Sequence, residues 1–101
     1  MRIGVDLGGT KIEGIVLTDE GEVTGKLRVD TPAQNYSETV KAVCDVIKKL
    51  QTTNQFPVGI GTPGALSLPD GLMKNSNSVC LNGKPLKKDI ESSLGYEIRI
   101  E

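Results

Sequence analysis

Tryptophan and histidine are missing from this 101-residue chain, phenylalanine occurs once and tyrosine twice. With aromatics at only 3%, a hydrophobic core has to be built from Val, Ile and Leu. Cysteine is nearly as scarce: Cys44 and Cys80 are too few and too far apart for a metal knuckle or a disulfide framework. Cys44 falls on the apolar face of a predicted helix, where a thiol behaves as a small hydrophobe, and Cys80 lies in an irregular segment. Neither sign of charge dominates. There are 12 basic and 13 acidic residues, for a net charge of −1 with no block of either sign, which argues against nucleic acid as a partner. No apolar run approaches the ~18 residues of a membrane span. Arg2-Ile3-Gly4-Val5 runs straight into Asp6 without a signal-peptide core, so a cytoplasmic protein with no membrane partner is expected. At this length one domain is expected, burying only ~60–65% of the unfolded surface, so the core is small and stability marginal.

What is present reads as an α/β pattern. Strands are predicted at 2–6, 12–18 and 22–29, with Asp19-Glu20-Gly21 turning the second into the third, so three antiparallel strands open the chain. Thr31-Pro32 ends that sheet. Apolar residues at Tyr36, Val40, Val43, Cys44, Ile47 and Leu50 then mark a helix of 3.6-residue period. Asn35 with Glu38 resembles a capping box, and Lys48-Lys49 complement the dipole of the last turn. Phe56 to Gly61 reads as a fourth strand, parallel after a helical crossover. From 65 to 85 no helical period is found, and Pro69-Asp70-Gly71 and Leu81-Asn82-Gly83 look like turns in a long excursion. Leu86, Ile90 and Leu94 mark a second helix stopped by Gly95, and Ile98 and Ile100 begin a fifth, incomplete strand. The order along the chain is β-β-β-α-β-α-β.

The most informative segment is Asp6-Leu7-Gly8-Gly9-Thr10-Lys11, a tight reversal between the first two strands. Gly8 and Gly9 are free to take positive φ and leave room for a phosphate to reach backbone N–H groups. Asp6, at the end of a strand, is placed to hold Mg²⁺ directly or through water, Thr10 offers a hydroxyl and Lys11 a positive charge. Gly-Gly between strands is also ordinary hairpin punctuation, so the segment alone leaves both readings open.

A second glycine-rich loop, Gly59-Ile60-Gly61-Thr62-Pro63-Gly64, matches G-x-G-x-x-G after a strand. A dinucleotide fingerprint is nevertheless rejected, because Pro63, Gly64 and Pro69 leave no helix N-terminus to face a pyrophosphate. The G-K-[ST] of a Walker A loop is absent too.

Taken in order, Asp6 to Lys11, Gly59 to Gly64, then Lys74-Asn75-Ser76-Asn77-Ser78 and Leu81-Asn82-Gly83-Lys84-Pro85-Leu86 resemble the N-terminal domain of a ROK-family sugar kinase over the whole chain. Within that family the last two stretches are most similar to bacterial fructokinases of the manno(fructo)kinase type, with N-acetylglucosamine kinases next. The resemblance implies an actin-like ATPase (ribonuclease H-like) fold with a mixed five-stranded sheet. It also implies ATP- and Mg²⁺-dependent phosphorylation of a hexose, fructose favoured, in a cleft between two such domains; family members are often homodimers. Carried over by position, Asp6 serves the metal, and Asp6, Leu7, Gly8, Gly9, Thr10 and Lys11 the nucleotide. Thr62, Pro63, Gly64 and Ala65 present backbone groups to the sugar, and Asn75 and Asn77 contact its hydroxyls, although Asn in such loops also forms local turns.

The resemblance further implies that residues 1–101 are one subdomain, truncated before the catalytic base. That base is an Asp in an Asn-Asp-Ala-Asn motif expected just beyond Glu101. No catalytic residue, zinc motif or adenosine pocket of the family lies within this sequence, so the chain by itself is expected to be inactive. Two other readings stay open: a glucokinase or N-acetylglucosamine kinase fragment, and a non-catalytic remnant or sugar-responsive regulator. Met1 directly before the first strand argues against the regulator, of which a helix-turn-helix ahead of the hairpin is expected.

Overall fold

Alternation in the first strand sets the architecture. In β1 (Arg2–Leu7), Ile3, Val5 and Leu7 are buried while Gly4 and Asp6 point to the other side, the period-two pattern of a sheet with one covered face. The computed structural model describes residues 1–8, 10–32, 35–51, 55–61, 65–66, 73–74 and 84–100. Following β1 are β2 (Lys11–Leu17), β3 (Val23–Asp30), α1 (Tyr36–Leu50), β4 (Val58–Gly61), β5 (Ala65–Leu66), β6 (Met73–Lys74), α2 (Leu86–Leu94) and β7 (Arg99–Ile100).

Five strands form one mixed sheet in the order β3-β2-β1-β4-β7. β1 pairs antiparallel with β2 and β2 with β3, whereas β4 lies parallel to β1 and β7 parallel to β4. One face carries Ile3, Val5, Leu7, Ile12, Val16, Val58 and Ile60, which form a single core with Val43, Cys44, Val46 and Ile47 of α1 and Leu86 and Ile90 of α2. Both helices therefore cover the same face. The core is built of aliphatic side chains, as the shortage of aromatics demands.

Asn35 starts α1 with its side-chain oxygen accepting the Glu38 N–H at 3.0 Å, satisfying one of the helix's orphan donors. The buried stripe of α1 is turned from the expected one: Thr39 and Val46 sit at its centre, and Tyr36, Val40 and Leu50 flank it half-buried. A threonine tolerates full burial here because its hydroxyl donates to the Asn35 carbonyl at 2.8 Å. Gly95 ends α2 in the left-handed region (φ 88°) with its N–H on the Glu91 carbonyl, as expected of a C-cap glycine.

Two expectations need correction. The fourth strand begins at Val58, not Phe56; Phe56 is held instead by Gln51, whose side-chain oxygen accepts its N–H at 2.8 Å. Pro57 has no N–H for a ladder, although its carbonyl accepts from Ile3. Within the stretch read as an irregular excursion, β5 and β6 pair antiparallel, Ala65 opposite Lys74 and Leu66 opposite Met73. Pairs of two residues carry no periodicity to read. The turns expected at 69–71 and 81–83, and Cys80, lie outside the described residues. Among the described residues no helix is long and apolar enough to cross a membrane.

Candidate functional site

The parallel pairing of β1 and β4 places Asp6 beside Gly61 in register. The two glycine-rich segments, far apart in sequence, thus leave the sheet side by side at one edge. β7 runs the same way, with Ile100 beside Ile60, so a third strand end emerges there. Converging C-terminal ends of parallel strands are where open α/β sheets bind ligands.

At this edge the β1–β2 reversal is fixed by its carbonyl groups. The Lys11 carbonyl accepts the Gly8 N–H at 2.9 Å. The Gly8 carbonyl accepts the Thr31 hydroxyl at 2.9 Å, and the Thr10 carbonyl accepts the Thr31 N–H at 2.9 Å. Three carbonyl oxygens of the reversal are thereby turned back onto the protein. A loop that is to receive an anion has to keep those partial negative charges away from it.

This geometry revises the role expected of Gly8. Its φ is not positive, and its N–H is committed to Lys11 rather than open to a phosphate. Glycine is required there for space: a Cβ would stand 3.0 Å from the Lys11 carbonyl oxygen. Leu7 is revised as well, because its side chain lies in the core opposite Ile12 and leaves only backbone for a ligand. Thr10 is exposed at the tip, and Gly9 lies outside the described residues. Thr31 was missed. Beside Pro32 it reads merely as the end of the sheet, and a contact across 23 residues leaves no local signal.

Charges around the reversal lie on the face away from the helices. Lys11 forms an ion pair with Asp30, its cross-strand neighbour. Glu13 is gripped by Arg28 at 2.6 Å and approached by Lys26 at 3.6 Å. The hydrogen bond from Lys11 holds the Asp30 carboxyl below its ordinary range, and the Arg28 guanidinium does the same for Glu13. Asp6 is exposed, directly opposite Glu13 on the same face. Among the described residues no group of three or more potential metal ligands occurs. A lone exposed carboxylate such as Asp6 offers a cation one or two oxygens and leaves the rest of its shell to other ligands.

Of the residues expected to face a sugar, Ala65 opens β5, while Thr62, Pro63, Gly64, Asn75 and Asn77 lie outside the described residues. The far end of that segment is anchored to α1. The Tyr36 hydroxyl donates to Asp89 at 2.5 Å, and the Lys84 ammonium sits over the Tyr36 ring, 5.6 Å from its centroid. Burial, followed by the Asp89 carboxylate, pushes the Tyr36 phenol well above its ordinary pKa.

A separate concavity of about 840 Å³ lies on the uncovered sheet face, lined among others by Gly4, Asp6, Glu13, Ile15, Gly59 and Arg99. Among the described residues it meets the strand-end site at Asp6 and Gly61.

Comparison with known proteins agrees with this geometry. The ROK family model matches residues 2–101. The N-acetyl-D-glucosamine kinase of Pasteurella multocida (strain Pm70) is 36% identical over 103 residues, covering all of this chain and 34% of the relative. Among solved structures, a ROK family glucokinase from Streptomyces griseus in complex with glucose and AMPPNP superposes with a TM-score of 0.86 at 29% identity, over 99% of this chain and 32% of that one. The ROK hexokinase from Thermus thermophilus gives 0.81 at 26% identity, covering 99% and 34%. The chain thus spans about a third of the length of the curated relatives it matches, and its mixed five-stranded sheet with helices is that of the actin-like ROK sugar kinases. The similarity to fructokinases in particular is not what these relatives' names carry.

Proposed function

Since the chain belongs to the ROK family, we propose that it is the nucleotide-phosphate-binding part of a sugar kinase, which transfers the terminal phosphoryl group of ATP to a hexose hydroxyl. The observation that carries this reading is the reversal between β1 and β2, where the carbonyls of Gly8, Thr10 and Lys11 are each engaged by the protein and Lys11 stands alongside. Phosphoryl transfer needs little covalent chemistry from a protein, chiefly positioning and stabilisation of charge. In this reading Thr10, Lys11 and the amides of the tip hold the phosphate chain, and Asp6 offers one oxygen to its Mg²⁺. The residues that follow Gly61 face the sugar in this reading, which the pairing of Gly61 with Asp6 supports.

The family base expected after the last strand would emerge at this same edge, where β7 ends next to β4. Among acceptors, N-acetyl-D-glucosamine and glucose come before fructose, since those are the sugars in the relatives' names. The setting is cytoplasmic, where ATP is made available.

Titration of the ¹⁵N-labelled chain with Mg·AMPPNP tests the reading. The amide resonances of residues 8–11 are expected to move in a saturable way, followed by those of 61–65 on addition of N-acetyl-D-glucosamine. A hairpin whose resonances stay fixed at millimolar nucleotide would overturn it.

A further inference from the structure

We infer that Thr31 is a positioning residue for phosphate binding, acting through the hairpin rather than touching the ligand. The inference rests on the reading of the 8–11 reversal as the phosphate site and adds a residue outside that motif. Thr31 follows directly on β3 and is half-buried. It addresses the reversal twice: its backbone N–H donates to the Thr10 carbonyl, and its hydroxyl donates to the Gly8 carbonyl, each at 2.9 Å. The first bond continues the β2–β3 ladder and needs no particular side chain. The second needs a hydroxyl at this position.

The Gly8 carbonyl is the group a two-residue hairpin ordinarily offers to the residue three places on. With the Thr31 hydroxyl bonded to that oxygen, the Gly8 carbonyl is turned back onto the protein, where its partial negative charge does not oppose an anion at the reversal. Thr31 is itself held from behind, since Pro32 restricts its backbone to extended conformations and the Pro32 carbonyl accepts the hydroxyl of the buried Thr39 in α1 at 3.4 Å. The hydroxyl thus joins the loop to the helix that covers the core.

The test compares Thr31→Val, which keeps the shape and removes the hydroxyl, with Thr31→Ser, which keeps the hydroxyl. Three properties are measured on the 101-residue chain: the Kd for Mg·AMPPNP, hydrogen exchange at residues 8–11, and the thermal midpoint. For Thr31→Val we expect binding weakened roughly three- to ten-fold, the worth of one hydrogen bond. Exchange should speed up at the hairpin amides while core amides such as those of Val5 and Ile60 stay protected, and Thr31→Ser should restore both properties. Unchanged hairpin exchange and affinity in Thr31→Val overturn the inference, and so does a Ser variant that behaves like Val. If the wild-type chain itself fails to bind the nucleotide, the phosphate reading falls with everything resting on it. Hairpin exchange that still responds to Thr31→Val in that case shows a structural tie alone, which also overturns a role in binding.

Discussion

The two faces of the five-stranded sheet are made by the same strands and could hardly differ more. On one, Ile3, Val5, Ile12, Val58 and Ile60 are buried under α1 and α2. On the other, the residues between them are Gly4, Asp6, Glu13, Ile15, Gly59 and Gly61, which floor an open concavity or carry charge. One face is bulky and dry, holding the strands in place; the other is small and polar, and delivers Asp6 and Gly61 to the strand-end site. Chemistry is possible at the edge because the opposite face supplies the rigidity. A charged group shifted by one residue along β1 would be buried, and every side chain of the strand would change roles.

The comparison breaks most visibly at Ile60. It is fully buried, and Ile60→Ala is expected to destabilise by about 2–5 kcal/mol, a large share of the stability of a domain this size. Ile15→Ala on the open face should stay below about 1 kcal/mol. Urea denaturation of both variants measures the contrast, and comparable losses would mean that the open face is covered after all.

Two glycines sharpen the contrast at closer range. A Cβ at Gly14 would stand 2.6 Å from both Val46 Cγ1 and Leu50 Cδ1, whereas one at Gly4, on the other face, would meet Ile15 Cγ1 at an ordinary 3.6 Å. Gly14→Ala is therefore expected to lose about 1–3 kcal/mol through forced repacking of α1. Gly4→Ala should lie within about 0.5 kcal/mol of wild type, as its Cβ finds room and reduces the freedom of the unfolded chain. The order of the two midpoints in denaturant decides.

The smallest effect distinguishes the faces by pH. Tyr36, on the helix side, has its phenol raised by burial and by Asp89, so its contribution is present below the usual value of about 10 and is lost as pH rises beyond it. Glu13 and Asp30, on the open face, are lowered by Arg28 and Lys11; their contribution is present above about 4 and is lost as pH falls below it. Thermal midpoints across pH should accordingly show an alkaline loss diminished in Tyr36→Phe and an acid loss diminished in Asp30→Asn. A variant that alters the opposite limb would refute the assignment. Salt should weaken the acid effect, because Lys11 and Asp30 are exposed.

Most of the sheet was legible in the chain because its signals are local. Alternation of Ile3, Val5 and Leu7, the Asn35 cap and the Gly95 stop each depend on residues within a few positions, and the structure has them in place. The stripe of α1 was read slightly off axis, since a buried threonine counts as polar until its hydroxyl is seen to be satisfied by the preceding turn. The ribbon of β5 and β6 was invisible because two residues a side carry no period.

At the site the division is the same. The glycines, the hydroxyl and the charges of Asp6 to Lys11 were legible as a candidate phosphate site. Which of their groups are engaged within the protein was not. That depended on Gly8 giving its N–H to Lys11, on Thr31 reaching back across 23 residues to the Gly8 carbonyl, and on Asp30 claiming Lys11 from the neighbouring strand. The sequence by itself determined the long strands and the helices, because helical and strand periodicity and turn chemistry act over a few residues. Only the tertiary structure decided that Asp6 stands beside Gly61 and that the carbonyls of Gly8 and Thr10 are taken by Thr31, because hydrogen bonds between distant strands exist only after the chain has closed on itself.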